Sequence, residues 1–239
     1  MSPVSNPVSD PVSNPVSYNA VIFDMDGLLV DSERLSYESY VATATRYGLA
    51  SDFEPYTALI GLNHVEGIPA LQALLPASID PRQFKEEWVE AYRGLLAQHV
   101  PVKPYALQLV QALAAIDIPM AVATSSRGEK ARETLDRIGI LPYLIGVTGG
   151  NEVPRGKPAP DVYLASLEKI MAHHKDVSAA SVMALEDSET GTNAAIAASL
   201  RVIQVPDLVP AKRPPSPTHL IVSDLRDAGA LLGVTLAAS

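Results

Sequence analysis

Two aspartates two residues apart, Asp24 and Asp26, close a short apolar run, Ala20-Val21-Ile22-Phe23, and Gly27 follows at once. The run has the composition of a strand buried on both faces. Side chains at i and i+2 of a strand leave on the same side, so both carboxylates can address one point beyond the strand end. Like charges held that close destabilise a fold unless a cation, a shared proton or a reaction partner compensates them. The pair therefore reads as a metal-assisted catalytic centre. Later segments carry the complementary groups: Thr124-Ser125-Ser126, then Lys157 between Gly156 and Pro158, then Glu186-Asp187-Ser188. Carboxylates suit a hard cation, hydroxyls and N–H groups suit an anion, and one ammonium neutralises charge. That is an inventory for handling a phosphate group, and oxygen ligands without His or Cys favour Mg²⁺.

Taken singly, each piece has an ordinary structural explanation. Asp-x-Asp-Gly often opens a calcium loop, but the third acidic position and the closing Glu of that loop are missing. Thr124 alone would be a hydrogen-bonded strand end, Lys157 a surface lysine, and Glu186-Asp187-Ser188 a capped helix start. Their joint placement argues for a site, because each follows an element that reads as a strand.

The elements that must position them come in two kinds. Residues 31–100 are rich in helix formers: Glu33 to Tyr47 closed by Gly48, Val65 to Leu75, and a helix opened by Asp80-Pro81 that runs through Leu96. Asp31 or Ser32 is placed to cap the first of these. From residue 101 helices alternate with strands at 119–123, 144–147, 181–185, 201–205 and an edge strand at 219–222. The alternation predicts an α/β fold, a Rossmann-like parallel sheet core with helices on both faces and an inserted all-helical cap. The expected organisation is a core of residues 19–30 and 101–239 with a cap of residues 31–100. Residues 3–17 read PVSN-PVSD-PVSN-PVS, and proline at every fourth position blocks helix and sheet pairing, so residues 1–18 are expected as a disordered tail. In parallel sheets ligands bind beyond the carboxyl ends of the strands, which is where the polar clusters fall.

At 239 residues with 47% hydrophobic and 19% charged residues, the chain has the composition of an ordinary globular protein with room for an insertion. Thirteen aromatics (three Phe, one Trp and nine Tyr) predict a core built mainly of Leu, Val, Ile and Ala. The formal charge of −9 argues against nucleic acid as a partner. Without cysteine there is no disulfide or thiolate chemistry, which is compatible with a reducing cytoplasm. No apolar run approaches membrane-spanning length, and the first thirty residues lack Lys and Arg, against a cleaved secretory signal. A cytoplasmic protein without nucleic-acid or membrane partners is expected, as a monomer, with a dimer as the alternative.

The series Asp24-Met25-Asp26-Gly27, Thr124-Ser125-Ser126, Lys157 and Glu186-Asp187-Ser188 resembles the four motifs of the haloacid dehalogenase-like hydrolases. The closest likeness is to the β-phosphoglucomutase and phosphoglycolate phosphatase branch, whose helical cap follows the first strand. The resemblance implies that Asp24 is a nucleophile forming an aspartyl-phosphate and that Asp26 is general acid and then general base. It implies that Thr124, Ser125 and the N–H groups beside them hold phosphoryl oxygens, and that Lys157 neutralises charge. Mg²⁺ would sit on Asp24, the backbone carbonyl of Asp26, Asp187, and Glu186 directly or through water. The implied reaction is Mg²⁺-dependent hydrolysis of a small phosphorylated metabolite, a sugar phosphate or similar monoester. Dehalogenase members lack the second aspartate, so Asp26 favours phosphoryl transfer. A phosphomutase is the alternative within the branch, but the mutases' cap histidine and arginine align with Ser36 and His64. Outside it stands a non-catalytic phosphate-binding or signalling domain, against which the seventy-residue helical insertion and the full motif set argue. Two glycines common in the family are replaced: Lys103-Pro104-Tyr105 follows the cap where Pro-Gly is usual, and Ser199 ends the helix after the fourth motif.

Overall fold

The computed structural model describes residues 16–50, 52–60 and 64–236, with the backbone alone at residues 54 and 64–66. Six parallel strands form one sheet: β1 (Ala20–Phe23), β2 (Met120–Ala123), β3 (Gly146–Thr148), β4 (Val182–Glu186), β5 (Arg201–Gln204) and β6 (His219–Ile221). Their spatial order is β3-β2-β1-β4-β5-β6, the Rossmann arrangement, and the order reverses between β1 and β4. Phe23 pairs with Val122 on one side and with Leu185 on the other, so the polar residues that follow these strands emerge together.

Period-two alternation sorts the β1 side chains onto two faces. Val21 and Phe23 enter an apolar layer with Leu109, Leu113, Leu135 and Leu225, from helices α5 (Ala106–Ala114), α6 (Gly128–Arg137) and α9 (Leu225–Leu231). Ala20 and Ile22 enter the opposite layer with Val162, Leu167, Ile170 and Ala194, from α7 (Asp161–His173) and α8 (Glu189–Ala197). Both layers are mainly aliphatic, as the composition predicts.

Between β1 and α5 the chain forms α1 (Ser32–Arg46), α2 (Phe53–Thr57), α3 (His64–Leu74) and α4 (Pro81–Gln98). These build a separate cluster in which Tyr40, Tyr56 and Phe84 are buried and Trp88 packs beside them. The scarce aromatics are thus concentrated here, with Tyr40 and Trp88 ring centres 5.5 Å apart and nearly perpendicular. The α4 start forms as expected, with Asp80 accepting from the Arg82 N–H at 2.9 Å and Pro81 in the first turn. The α1 start does not. Neither Asp31 nor Ser32 caps it: the Asp31 carboxylate goes to Arg34 and Lys103, and the buried Ser32 hydroxyl has no partner among the described residues.

Of the expected tail, residues 1–15 lie outside the described residues. Residues 16–18 are held on the core: the Val16 N–H donates to the Leu231 carbonyl, the Tyr18 hydroxyl to the Leu232 carbonyl at 2.7 Å, and Arg201 to the Ser17 carbonyl. No helix among the described residues is long and apolar enough to cross a membrane.

Candidate active site

The site lies where the strand order reverses. β1 stops at Phe23, and the next N–H, that of Asp24, donates to the Leu185 carbonyl of β4 at 2.9 Å. That bond sets the Asp24 carboxylate beside Glu186, the last residue of β4. Lys157 reaches in from the loop before α7 and donates to Asp24 Oδ1 and to Glu186 Oε1, each at 2.5 Å. Its ammonium also lies 5.0 Å from the centre of the Tyr163 ring. Tyr163, on the first turn of α7, donates its hydroxyl to Glu186 Oε1 at 2.6 Å. Ser188 both caps α8, accepting from the Gly191 N–H, and donates to Glu186 Oε2 at 3.2 Å. Glu186 is thereby fully buried, with both oxygens engaged.

Two glycines make room for this packing. At Gly27 the backbone is left-handed, φ +86°, and a Cβ there would overlap the Asp187 carboxylate. At Gly191 a Cβ would overlap the carboxylate of Glu186. Asp24, Glu186 and Asp187 each offer an oxygen within 4.8 Å of the others. Three carboxylates thus surround one ammonium. Burial, and then the neighbouring carboxylates, push Asp24 and Asp187 well above the usual carboxylate range. Burial pulls the Lys157 ammonium down, but Asp24 and Glu186 reverse that and hold it above its ordinary value. This surplus of negative charge on an all-oxygen donor set fits a hard divalent cation.

Asp26 faces the other way round the same cleft. Its Oδ2 accepts from the Thr124 hydroxyl at 3.1 Å and from the Ser126 hydroxyl at 2.7 Å. The strand has already ended, so the alternation that put both aspartates on one side does not govern their partners. Thr124 is fully buried, also accepts from the Ser126 N–H at 3.0 Å, and is turned to Asp26 rather than to the cavity. Ser125 is exposed on the cavity wall and Ser126 lines it as well. Ser126 and Ser188 belong to the polar motifs legible in the sequence, whereas Tyr163, inside an ordinary helical stretch, carries no sequence signal that marks it for the site.

A cavity of about 690 Å³ opens over these residues. Asp24, Asp26, Ser125, Lys157 and Asp187 form its floor, and Ser36, Tyr56, Leu71, Lys85, Trp88 and Tyr92 of the helical insertion form its roof. Glu33 projects between the two. Burial, then the charges of Asp207 and Asp26, push its carboxyl up from 4.5 to about 7. Ser36 lines the cavity, and its carbonyl accepts from Trp88 Nε1 at 2.9 Å. Residues 61–63 and the His64 side chain lie outside the described residues.

A parallel sheet covered on both faces, with helices roofing its carboxyl edge, is the architecture of a capped α/β enzyme. Residues 21–205 match the family described as haloacid dehalogenase-like hydrolase, and the chain belongs to that family. It is 31% identical over 184 residues to the "Phosphorylated carbohydrates phosphatase" of Thermotoga maritima, covering 77% of this chain and 83% of that protein. It is 30% identical to "Fructose-1-phosphate phosphatase YqaB" of Escherichia coli, covering 79% of this chain and 96% of that one. Among solved structures, CbbY from Rhodobacter sphaeroides in complex with phosphate superposes with a TM-score of 0.68 at 25% identity, covering 91% and 100%.

Proposed function

We propose that the protein is a Mg²⁺-dependent phosphatase that hydrolyses a small phosphorylated metabolite, a sugar phosphate or similar monoester, through an aspartyl-phosphate. The observation that carries this reading is the convergence of Asp24, Lys157, Glu186 and Asp187 at one edge of the sheet, with Asp26 beside them on the floor of the same cavity. The phosphatases to which the chain is similar support it.

The divisions of labour follow from the contacts. Asp24 attacks phosphorus, and the ester oxygen departs as an alcohol. Lys157, fixed on Asp24, offsets the charge that gathers on the phosphoryl group. Glu186 is already saturated by Lys157, Tyr163 and Ser188, so its main effect is to hold the lysine and the turn that carries Asp187. Asp26 has Oδ2 tied to Thr124 and Ser126, which leaves Oδ1 to give a proton to the leaving oxygen and later to take one from water. Thr124 and Ser126 therefore act by orienting Asp26, while Ser125 meets the phosphoryl oxygens at the wall. Asp24, Asp187 and the Asp26 carbonyl would hold Mg²⁺, with Glu186 behind them; the ion supplies charge neutralisation and alignment at phosphorus. The covalent intermediate divides a very slow hydrolysis into two steps. The roof excludes water and meets the leaving group.

A panel of phosphorylated metabolites assayed with Mg²⁺ tests the reading. Free phosphate released from several sugar phosphates is the expected result. Isomerised product without free phosphate would point instead to a mutase, and no turnover of any ester would overturn the assignment.

A further inference from the structure

One stripe of α4 contributes a large part of the cavity's roof. Lys85, Trp88, Val89 and Tyr92, at i, i+3, i+4 and i+7, all face the cavity, as helical spacing requires. Three of them are apolar or aromatic. Lys85 is the exception, and it is not held there by a counter-charge: no hydrogen bond or ion pair joins it to any described residue. Nor does it extend into solvent. Its side chain is partly buried and its Nζ lies against α3 at Gly67, 2.9 Å from where a Cβ on that glycine would stand. A larger residue at position 67 would displace the ammonium.

Among the described residues, the other charged groups around the cavity are Asp24, Asp26, Glu33 and Asp187, all acidic, and Lys157, whose ammonium is committed to Asp24 and Glu186. Lys85 is therefore the one uncommitted cation among the described lining residues. A ligand with a neutral leaving group has no use for it. A ligand with an additional anionic group would be repelled by this acidic cavity everywhere except at Lys85. Glu33 and the Ser32 hydroxyl, which has no partner among the described residues, also line the cavity at the start of α1 and suit hydroxyl groups of such a ligand.

We propose that Lys85 is a second anion subsite, so that the preferred substrate is a hydroxylated phosphate ester whose leaving group carries a carboxylate or a second phosphate. The proposal rests on the phosphatase reading and narrows its substrate class. Lys85 is a specificity residue in this account and takes no part in the chemistry at Asp24.

Matched substrates test it: glycerol phosphate against phosphoglycerate for a carboxylate, and fructose monophosphate against fructose bisphosphate for a phosphate. One of the two pairs is expected to show a preference for the doubly anionic member of about tenfold or more in kcat/KM, the worth of one charge-assisted hydrogen bond. Lys85→Met should abolish that preference through KM with kcat little changed, Lys85→Arg should keep most of it, and hydrolysis of an aryl phosphate whose leaving group carries no charge should be unaffected by either. No preference in either pair, or a preference that survives Lys85→Met, overturns the proposal. Calorimetric binding of the same four compounds to Asp24→Asn, with and without Lys85→Met, reads the subsite independently of turnover. Absence of hydrolysis with Lys85-dependent binding would count against the phosphatase reading alone.

Discussion

Glu33 offers a test of the electrostatics that needs no substrate. Its carboxyl lies between the floor and the roof, and burial together with Asp207 and Asp26 pushes it up from 4.5 to about 7. The native protein then holds this proton more tightly than the unfolded chain. The contribution to stability is complete below about pH 4.5 and is lost as pH rises through about 7. At about 1.4 kcal/mol per tenfold change in proton affinity, ionising Glu33 in the folded protein costs about 2 to 3 kcal/mol by pH 8. Glu33→Gln keeps the shape and removes the ionisation. In urea unfolding with EDTA present, wild type and Glu33→Gln should differ by a small constant at pH 4.5. The variant should gain progressively to about 2 to 3 kcal/mol at pH 8, or about 5 to 10 °C in Tm for a chain of this size. A difference that stays flat from pH 4.5 to 8 would refute the claim that the acidic cleft strains this carboxylate.

Other consequences follow from the same contacts. Gly191→Ala puts a methyl group into the Glu186 carboxylate and should lower kcat/KM on an aryl phosphate by about 10²-fold with the fold retained by circular dichroism, since small misplacements of reacting groups are costly. Ser199 holds a left-handed conformation, φ +62°, where the family commonly has glycine; Ser199→Gly should add about 0.5 to 1 kcal/mol in urea unfolding with activity unchanged. Mg²⁺ at about a hundredfold its dissociation constant should raise stability by about 2.7 kcal/mol in wild type, and by much less in Asp187→Asn when melting curves are compared.

The strand-ending residues were legible because each sits at a change of pattern: apolar run to Asp24, apolar run to Thr124, apolar run to Glu186. Parallel-sheet topology alone then forces them to one edge. Lys157 was legible from Gly156 and Pro158, which fix a loop, although its two carboxylate partners needed coordinates. The finer assignments were not. Thr124 and Ser126 both turn to Asp26, a choice made by a few ångströms of loop geometry that residue type does not encode. The cap that the sequence suggests for α1 does not form, because Lys103 and Arg34 compete for the Asp31 carboxylate. Helix α2 is five residues long, too short for periodicity to register, and it is held by the packing of Phe53 and Tyr56 on Tyr37, with ring centres 5.1 and 4.9 Å apart. Tyr105 and Ser199, the residues at the two expected glycine positions, both keep the left-handed backbone, at φ +68° and +62°.

The central claim is that Asp24 bonds covalently to phosphorus. Acid quenching of the enzyme during turnover of a radiophosphate-labelled ester with Mg²⁺, followed by peptide mapping, tests it most directly. The label is expected on the peptide that carries Asp24, and Asp24→Asn should take up none and turn nothing over. Label on a different residue, or an Asp24→Asn variant with activity near wild type, would contradict the account.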